Sequence, residues 1–202
     1  MNNKEKIFNV SIDLFSQYGY DGVSIRQIAR EVGIKESSIY NHYKSKESIM
    51  DSILKYYIEQ MISEDIPIDQ ASENLDISFD YFYRAGLEAF SSQLRDEKMS
   101  KITRIIFIES YHNEKIREFL KNSILEDAIT GWINLFDLMK YKKLIRDDVD
   151  SRQLAESFYK YGLSLLYEHY VINYPEDDGK FVDELCEKSE RHIKLIYESV
   201  RR

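Results

Sequence analysis

The chain has 202 residues, 43% of them hydrophobic and 32% charged, a net charge of −8, seven glycines, two prolines and one cysteine. This composition belongs to a folded globular chain and excludes a disordered one; no run of about 18 apolar residues and a polar start, MNNKEK, argue against a membrane helix and a secretory signal. Cys186 stands alone and cannot close an intrachain disulfide, which fits a reducing compartment, so a cytoplasmic location is expected. With few turn-forming residues and no sustained apolar alternation between turn pairs, the fold class expected is all-α.

In chain order, a first helix is expected over residues 3–18, with Ile7, Leu14, Phe15 and Tyr18 on its apolar face, and Gly19 and Gly22 bracket the turn after it. Ser24 and Gln27 form a capping box that opens a second helix, whose Ile25, Ile28, Ala29 and Val32 follow the i, i+3, i+4, i+7 spacing. Gly33 stops it, and a short third helix over residues 35–42 turns Ile39 inward. On that helix Ser37, Tyr40, Asn41 and Lys44 share another face, and their side chains donate hydrogen bonds rather than pack, which suits a groove of base edges and phosphates. Ser45 caps a fourth helix with Met50, Ile53, Leu54, Tyr57, Ile58 and Met61 in a stripe, ending before Pro67 in the polar stretch SEDIPIDQASEN.

The periodicity then predicts a helix over residues 74–94 rich in Phe and Tyr, a break at Asp96 and Glu97, and a helix with Ile102, Ile105, Ile106 and Phe107 that ends near residues 111–113. A long helix runs to about residue 140 with Trp132, Leu135, Phe136 and Met139, a loop follows around Asp148, and a helix spans residues 151–173. Pro175 to Gly179 turns the chain into a last helix with Phe181, Leu185, Ile193, Ile196 and Val200. These last two helices are apolar over more than one face, which suits packing on a second copy as well as on the body, and Gly162 in mid-helix fits a close backbone approach.

The ordered constellation Ile7, Phe8, Ser11, Leu14, Phe15, Gly19-Tyr20, Ser24, Ile28-Ala29, Val32-Gly33-Ile34, Ser38, Ile39-Tyr40, His42-Tyr43 and Ser45-Lys46-Glu47 resembles the DNA-binding domain of the tetracycline-repressor (TetR) family over roughly the first quarter of the chain. The resemblance implies a helix-turn-helix DNA-binding domain over residues 1–47 and a helical ligand-binding and dimerisation domain over residues 48–202, paired through the last two helices. It implies that Arg26 reads a guanine, that Glu36, Ser37, Tyr40 and Asn41 face the groove, and that Tyr40, His42 and Lys46 touch phosphates, with Ser38 in the same motif. Lys35 stands where the family usually has a capping Ser or Thr, which weakens the cap by about 1 kcal/mol while offering a phosphate contact, and Tyr43 replaces the usual Phe, leaving a hydroxyl for a phosphate. Residues 1–50 carry seven Lys/Arg and six Asp/Glu against 21 and 30 in the rest, so the acidic balance lies outside the head and a specific operator must supply much of the affinity.

The body holds most of the aromatic residues, and the family's mode of action implies a small-molecule effector, flat or apolar, among Phe82, Phe107, Tyr111, Trp132, Phe136 and Tyr161. The partners expected are thus a double-stranded DNA operator, that effector and a second copy of the chain, with no membrane, cofactor or metal. His42, His112, His169 and His192 lie far apart in sequence, and no metal-ligand, nucleophile or phosphate-loop motif is present, so no enzyme is expected. The alternative of another class is a helical interaction module that binds a protein or an effector without specific DNA.

Overall fold

The structure is a computed structural model that describes residues 2–63, 68–173 and 178–202. The expected turns at Pro67 and Pro175 and the acidic Glu176-Asp177 lie outside the described residues. Among the described residues eleven α-helices follow one another: α1 Asn3–Tyr18, α2 Ile25–Val32, α3 Glu36–Ile39, α4 Lys46–Ser63, α5 Ile68–Ile77, α6 Phe79–Arg95, α7 Glu97–Glu109, α8 Glu114–Phe119, α9 Ala128–Tyr141, α10 Ser151–Tyr167 and α11 Asp178–Val200. Two π-helical stretches, Leu120–Asp127 and Glu168–Ile172, lead into α9 and out of α10. Among the described residues the only extended pairing is an isolated bridge between Ile145 and Arg201. The fold class is all-α, as expected.

The chain divides into two compact units, Met1–Asp65 with Asp96–Ile116, and Ile66–Arg95 with Arg117–Arg202. In the first, α1 packs against α2 and α7, and α4 against α7. Its interior is built from Ile7, Ile12, Phe15, Ile28, Ile39, Ile49, Ile53, Ile102, Ile105 and Ile106, each at most 1% exposed. Tyr18, expected on the buried face of α1, is 61% exposed. Because α1 is covered by α2, α7 and α4, Ser11, Ile12 and Ser16 are buried beside Ile7 and Phe15, and Tyr18 falls on the open side.

In the second unit α9 packs on α10, α6 on α5 and α11, and α10 on α11. Here the interior is ring-rich: Phe79 stacks on Tyr197 with centroids 4.1 Å apart, and Trp132 meets Phe158 at 4.2 Å. The end of α11 is fastened by the loop after α9, where the Arg146 N–H donates to Val200 O at 2.9 Å and its Nη1 to Ser199 O at 2.8 Å.

Besides the long helix expected to run to about residue 140, which the π-helical stretch Leu120–Asp127 divides into α8 and α9, three expected helices differ in detail. The third is a single α-turn, because the Ser38 N–H bonds Lys35 O and the His42 N–H bonds Ile39 O in tighter i→i+3 steps at either end. The helix expected over residues 74–94 is broken at Ser78, whose Oγ accepts the Tyr81 N–H at 3.0 Å and restarts the chain as α6. The helix over residues 151–173 ends in the π-helical stretch, where the Asn173 N–H reaches Glu168 O at 2.9 Å.

Candidate nucleic-acid interface

The candidate surface is made by α2, α3 and the turns on either side. Ser24 and Gln27 cap α2 reciprocally: the Gln27 N–H donates to Ser24 Oγ at 3.2 Å, and the Ser24 N–H to Gln27 Oε1 at 2.7 Å. Gly33, at φ 79° and ψ 32°, ends the helix in the left-handed region, with its N–H and that of Ile34 both returned to Ala29 O. Lys35 then begins α3 with no side-chain cap, and Ile39, fully buried, anchors it. Ser45 opens α4, its Oγ accepting the Ser48 N–H at 3.1 Å.

Seven of the ten residues expected to meet DNA, namely Arg26, Lys35, Glu36, Ser37, Tyr40, Asn41 and His42, are exposed on this surface, and Ser38 is half-buried. Two others are placed differently. Tyr43 is buried, and burial pushes its phenol above the ordinary range, partly countered by a hydrogen bond to Ser52; the hydroxyl is therefore engaged inside the head rather than left for a phosphate. Lys46 turns inward: its Nζ donates to the backbone carbonyls of Tyr20 at 2.8 Å and Val23 at 2.9 Å and lies 3.9 Å from the Tyr20 ring centre. An ammonium has three donors, and two of them here hold the turn after α1.

Arg30 is not among the residues expected to touch DNA, yet it is exposed and lines one concavity with Ser24, Arg26, Gln27, Ile34 and Glu36. The signal was its i+4 spacing from Arg26, which puts two guanidinium groups on one face of α2. Lys44, also exposed, adds a further cation beside α3.

The six residues expected to line an effector site are not gathered into one place. Phe82 and Phe136, 6% and 2% exposed, sit in the core of the second unit. Half-buried Trp132 lies 6.4 Å from the first and 5.9 Å from the second, so three of the six form one ring cluster with Phe158. Tyr161 stacks on His192 of α11 at 3.9 Å. Phe107 and Tyr111 belong to the first unit, where Tyr111 follows the end of α7 and is 82% exposed. Spacing along helices gathered side chains of similar chemistry, but the fold distributes them over two units. A shallow concavity of the second unit is lined by none of the six; it lies between Leu165, His169, Phe181, Glu184, Leu185 and Lys188. Among the described residues no group of three or more His, Cys, Asp or Glu is placed to hold a metal ion, and no helix is long and apolar enough to cross a membrane.

Comparison with known proteins bears on both units. Residues 7–53 match the family of bacterial regulatory proteins of the tetR type. Over 52 residues the chain is 46% identical to IcaR, the HTH-type negative transcriptional regulator of the biofilm operon icaADBC in Staphylococcus aureus, a stretch covering 26% of this chain and 28% of that protein. The chain thus spans little more than a quarter of that curated relative. A transcriptional regulator of the TerR/AcrR family from Aquifex aeolicus VF5 has the same fold over 96% of this chain and 99% of its own, at 26% identity and a TM-score of 0.65. AibR, solved in complex with isovaleryl coenzyme A and operator DNA, shares the fold over 93% of this chain and 97% of its own, at 19% identity and a TM-score of 0.62.

Proposed function

Since the chain belongs to the TetR family of bacterial regulatory proteins, we propose that it is a transcriptional repressor that binds a palindromic operator as a homodimer and leaves it when a small molecule binds the second unit. The observation that carries this reading is the surface of α2 and α3: Arg26, Arg30, Ser37, Tyr40 and Asn41 stand exposed on a scaffold whose anchors, Ile28 and Ile39, are completely buried. Guanidinium groups suit guanine O6 and N7, the amide of Asn41 suits adenine, and the carboxylate of Glu36 suits a cytosine amino group. Lys35, Lys44 and His42 supply the phosphate contacts that set register.

The dimer face is assigned to α10 and α11. Half-buried Leu163 and exposed Tyr167 lie on α10 and Leu195 is 72% exposed on α11, while a Cβ placed on Gly162 would meet nothing within 4 Å, leaving room for a second backbone. Two heads related by a twofold axis would meet successive major grooves about 34 Å apart. The effector site is placed at the cluster of Phe82, Trp132 and Phe136, where Trp132 and Phe158 are half-buried and open toward solvent. AibR, whose fold this chain shares, was captured with both an acyl coenzyme A and operator DNA, which supports the pairing of effector and operator. Release follows if the effector prefers the arrangement that cannot bind DNA, since equal affinity for both would shift nothing. Such a regulator works in the cytoplasm and needs no catalytic group.

Selection of bound sequences from a random duplex pool at two salt concentrations tests the reading. Enrichment of an inverted repeat is expected. No enrichment at either salt would overturn it and leave the interaction module as the reading.

A further inference from the structure

Within the turn between α1 and α2, the Val23 N–H reaches Tyr20 O at a long 3.3 Å. Gly19 takes φ 72°, which other residues adopt only with strain, and a Cβ on Gly22 would come within 2.3 Å of Tyr18 O. Between them Tyr20 turns its N–H away from the helix ladder. That N–H donates to Glu109 Oε1 at 2.7 Å, across 89 positions of sequence. The Tyr20 carbonyl accepts from Lys46 Nζ at 2.8 Å, and the same ammonium holds Val23 O and the face of the Tyr20 ring. One residue of the turn is therefore gripped on its donor by the last residue of α7 and on its acceptor by the first residue of α4.

Of the other polar ties between the residue 96–116 segment and the head, Thr103 Oγ1 to Tyr57 Oη at 3.5 Å is buried, while the ion pairs Lys101 to Asp13 at 2.7 Å and Lys115 to Asp51 at 2.8 Å reach solvent, with the lysines 26% and 56% exposed and the acids 50% and 43%. Salt screens contacts of that kind. Glu109 is only 8% exposed, so its hydrogen bond works where water and ions compete least. The turn it holds fixes where α2 starts, and α2 carries Arg26 and Arg30 and leads directly into α3.

We infer that Glu109 is a positioning residue for operator binding: with Lys46 it clasps the Tyr20 peptide between α7 and α4 and so sets the aim of the reading surface without touching DNA. The inference rests on the DNA-binding reading above. It gives Lys46 a role apart from phosphate contact and makes a helix remote in sequence part of the DNA-binding apparatus.

The test uses the full chain as wild type, Glu109→Ala, Glu109→Gln and Lys46→Met, each at a temperature where circular dichroism shows it fully folded. Two quantities are read: exchange of the Tyr20 amide by NMR, and Kd for the operator selected by the wild type. In Glu109→Ala the Tyr20 amide should exchange at least about tenfold faster and operator binding should weaken by about tenfold. Glu109→Gln, whose amide oxygen still accepts, should stay within about threefold of wild type in both. Lys46→Met, which also serves if the alanine variant does not fold, should weaken binding with an unchanged dependence of Kd on salt. A lowered Tm with unchanged Kd in Glu109→Ala would make the residue merely structural and overturn the inference, as would unchanged amide exchange. A salt slope reduced by about 0.9 in Lys46→Met would place that ammonium on a phosphate and overturn its side of the clasp. If the wild type selects no operator, the DNA-binding reading fails first, and amide exchange still reports whether the clasp exists.

Discussion

Around the helix-turn-helix the interior is mainly aliphatic, with Ile7, Ile12, Ile28, Ile39, Ile49, Ile53, Ile102, Ile105 and Ile106 packed about the single ring of Phe15 at its centre, whereas the second unit closes over Phe79, Phe82, Tyr83 and Phe136 with Trp132, Phe158 and Tyr197 packed against them. The two interiors present different outsides. Branched aliphatic side chains have few rotamers and no polar atom to satisfy, so short helices such as α2 and α3 lock at fixed angles and can devote their outer faces to exposed donors. In the second unit the rings satisfy one another by stacking and edge contacts, so abundance of aromatic residues there is first a property of the core. In the proposed function, recognition in the head is the work of what lies outside its core, and a ligand of the second unit would have to compete with contacts inside it.

The largest expected effects test that contrast directly. Ile39→Ala should cost about 3 kcal/mol and abolish operator binding, because Ile39 is the buried anchor of α3. Phe136→Ala should cost about 4 kcal/mol and open a cavity beside Trp132 that a small aromatic solute partly refills. The chain has one tryptophan, so thermal melting followed by Trp132 fluorescence reports the second unit. The Ile39 variant should leave that transition in place while losing operator binding. A Trp132 transition that moves with Ile39→Ala would show the two interiors melting as one and break the comparison.

Smaller effects sharpen the division within the head. Arg26→Ala should cost about 1 to 3 kcal/mol on the selected operator and relax preference at one base position. Lys35→Ala should weaken all sequences alike and lower the salt slope by about 0.9. Binding of the wild type and both variants to operator and scrambled duplexes over a salt series separates them. If Arg26→Ala weakened both duplexes equally, Arg26 would belong with the phosphate contacts.

Most of the head was legible in the sequence because its decisive signals are local. Ser24 with Gln27, Gly33, and the spacing of Ile28 and Ile39 each act within one or two turns of chain, and the structure realises them as a reciprocal cap, a left-handed stop and two buried anchors. What sequence could not carry was pairing over distance. Glu109 reads as one more acid at a helix end until the fold brings it to Tyr20, and Lys46 reads as an exposed cation until two carbonyls and a ring converge on it. In the second unit helical spacing found the right interior for Phe82 and Phe136, but placing Tyr111 or Phe107 with them required knowing which neighbours each helix has. Local competition at Ser78 and the π-helical stretches were equally hidden, because they alter hydrogen bonding without altering the apolar pattern.

The smallest effect concerns the thiol of the second unit. Cys186 is half-buried on α11, and burial pushes its thiol above the ordinary range; a hydrogen bond to Ser91 and the charge of Arg95 pull it down, while Asp183 and Glu190 push it further up. A raised value leaves less thiolate at any pH below it, and the thiolate is the nucleophile. Alkylation of the native protein by iodoacetamide should therefore be slower at pH 8 than alkylation of the urea-unfolded chain, and its rate should continue to climb at pH values where the unfolded chain has levelled off. Ser91→Ala removes one of the groups favouring the thiolate and should slow the native reaction further. Equal rates in the native and unfolded chains would mean that α11 exposes Cys186 on the timescale of the reaction, so that the ring-packed interior, unlike the aliphatic one, is open to a reagent.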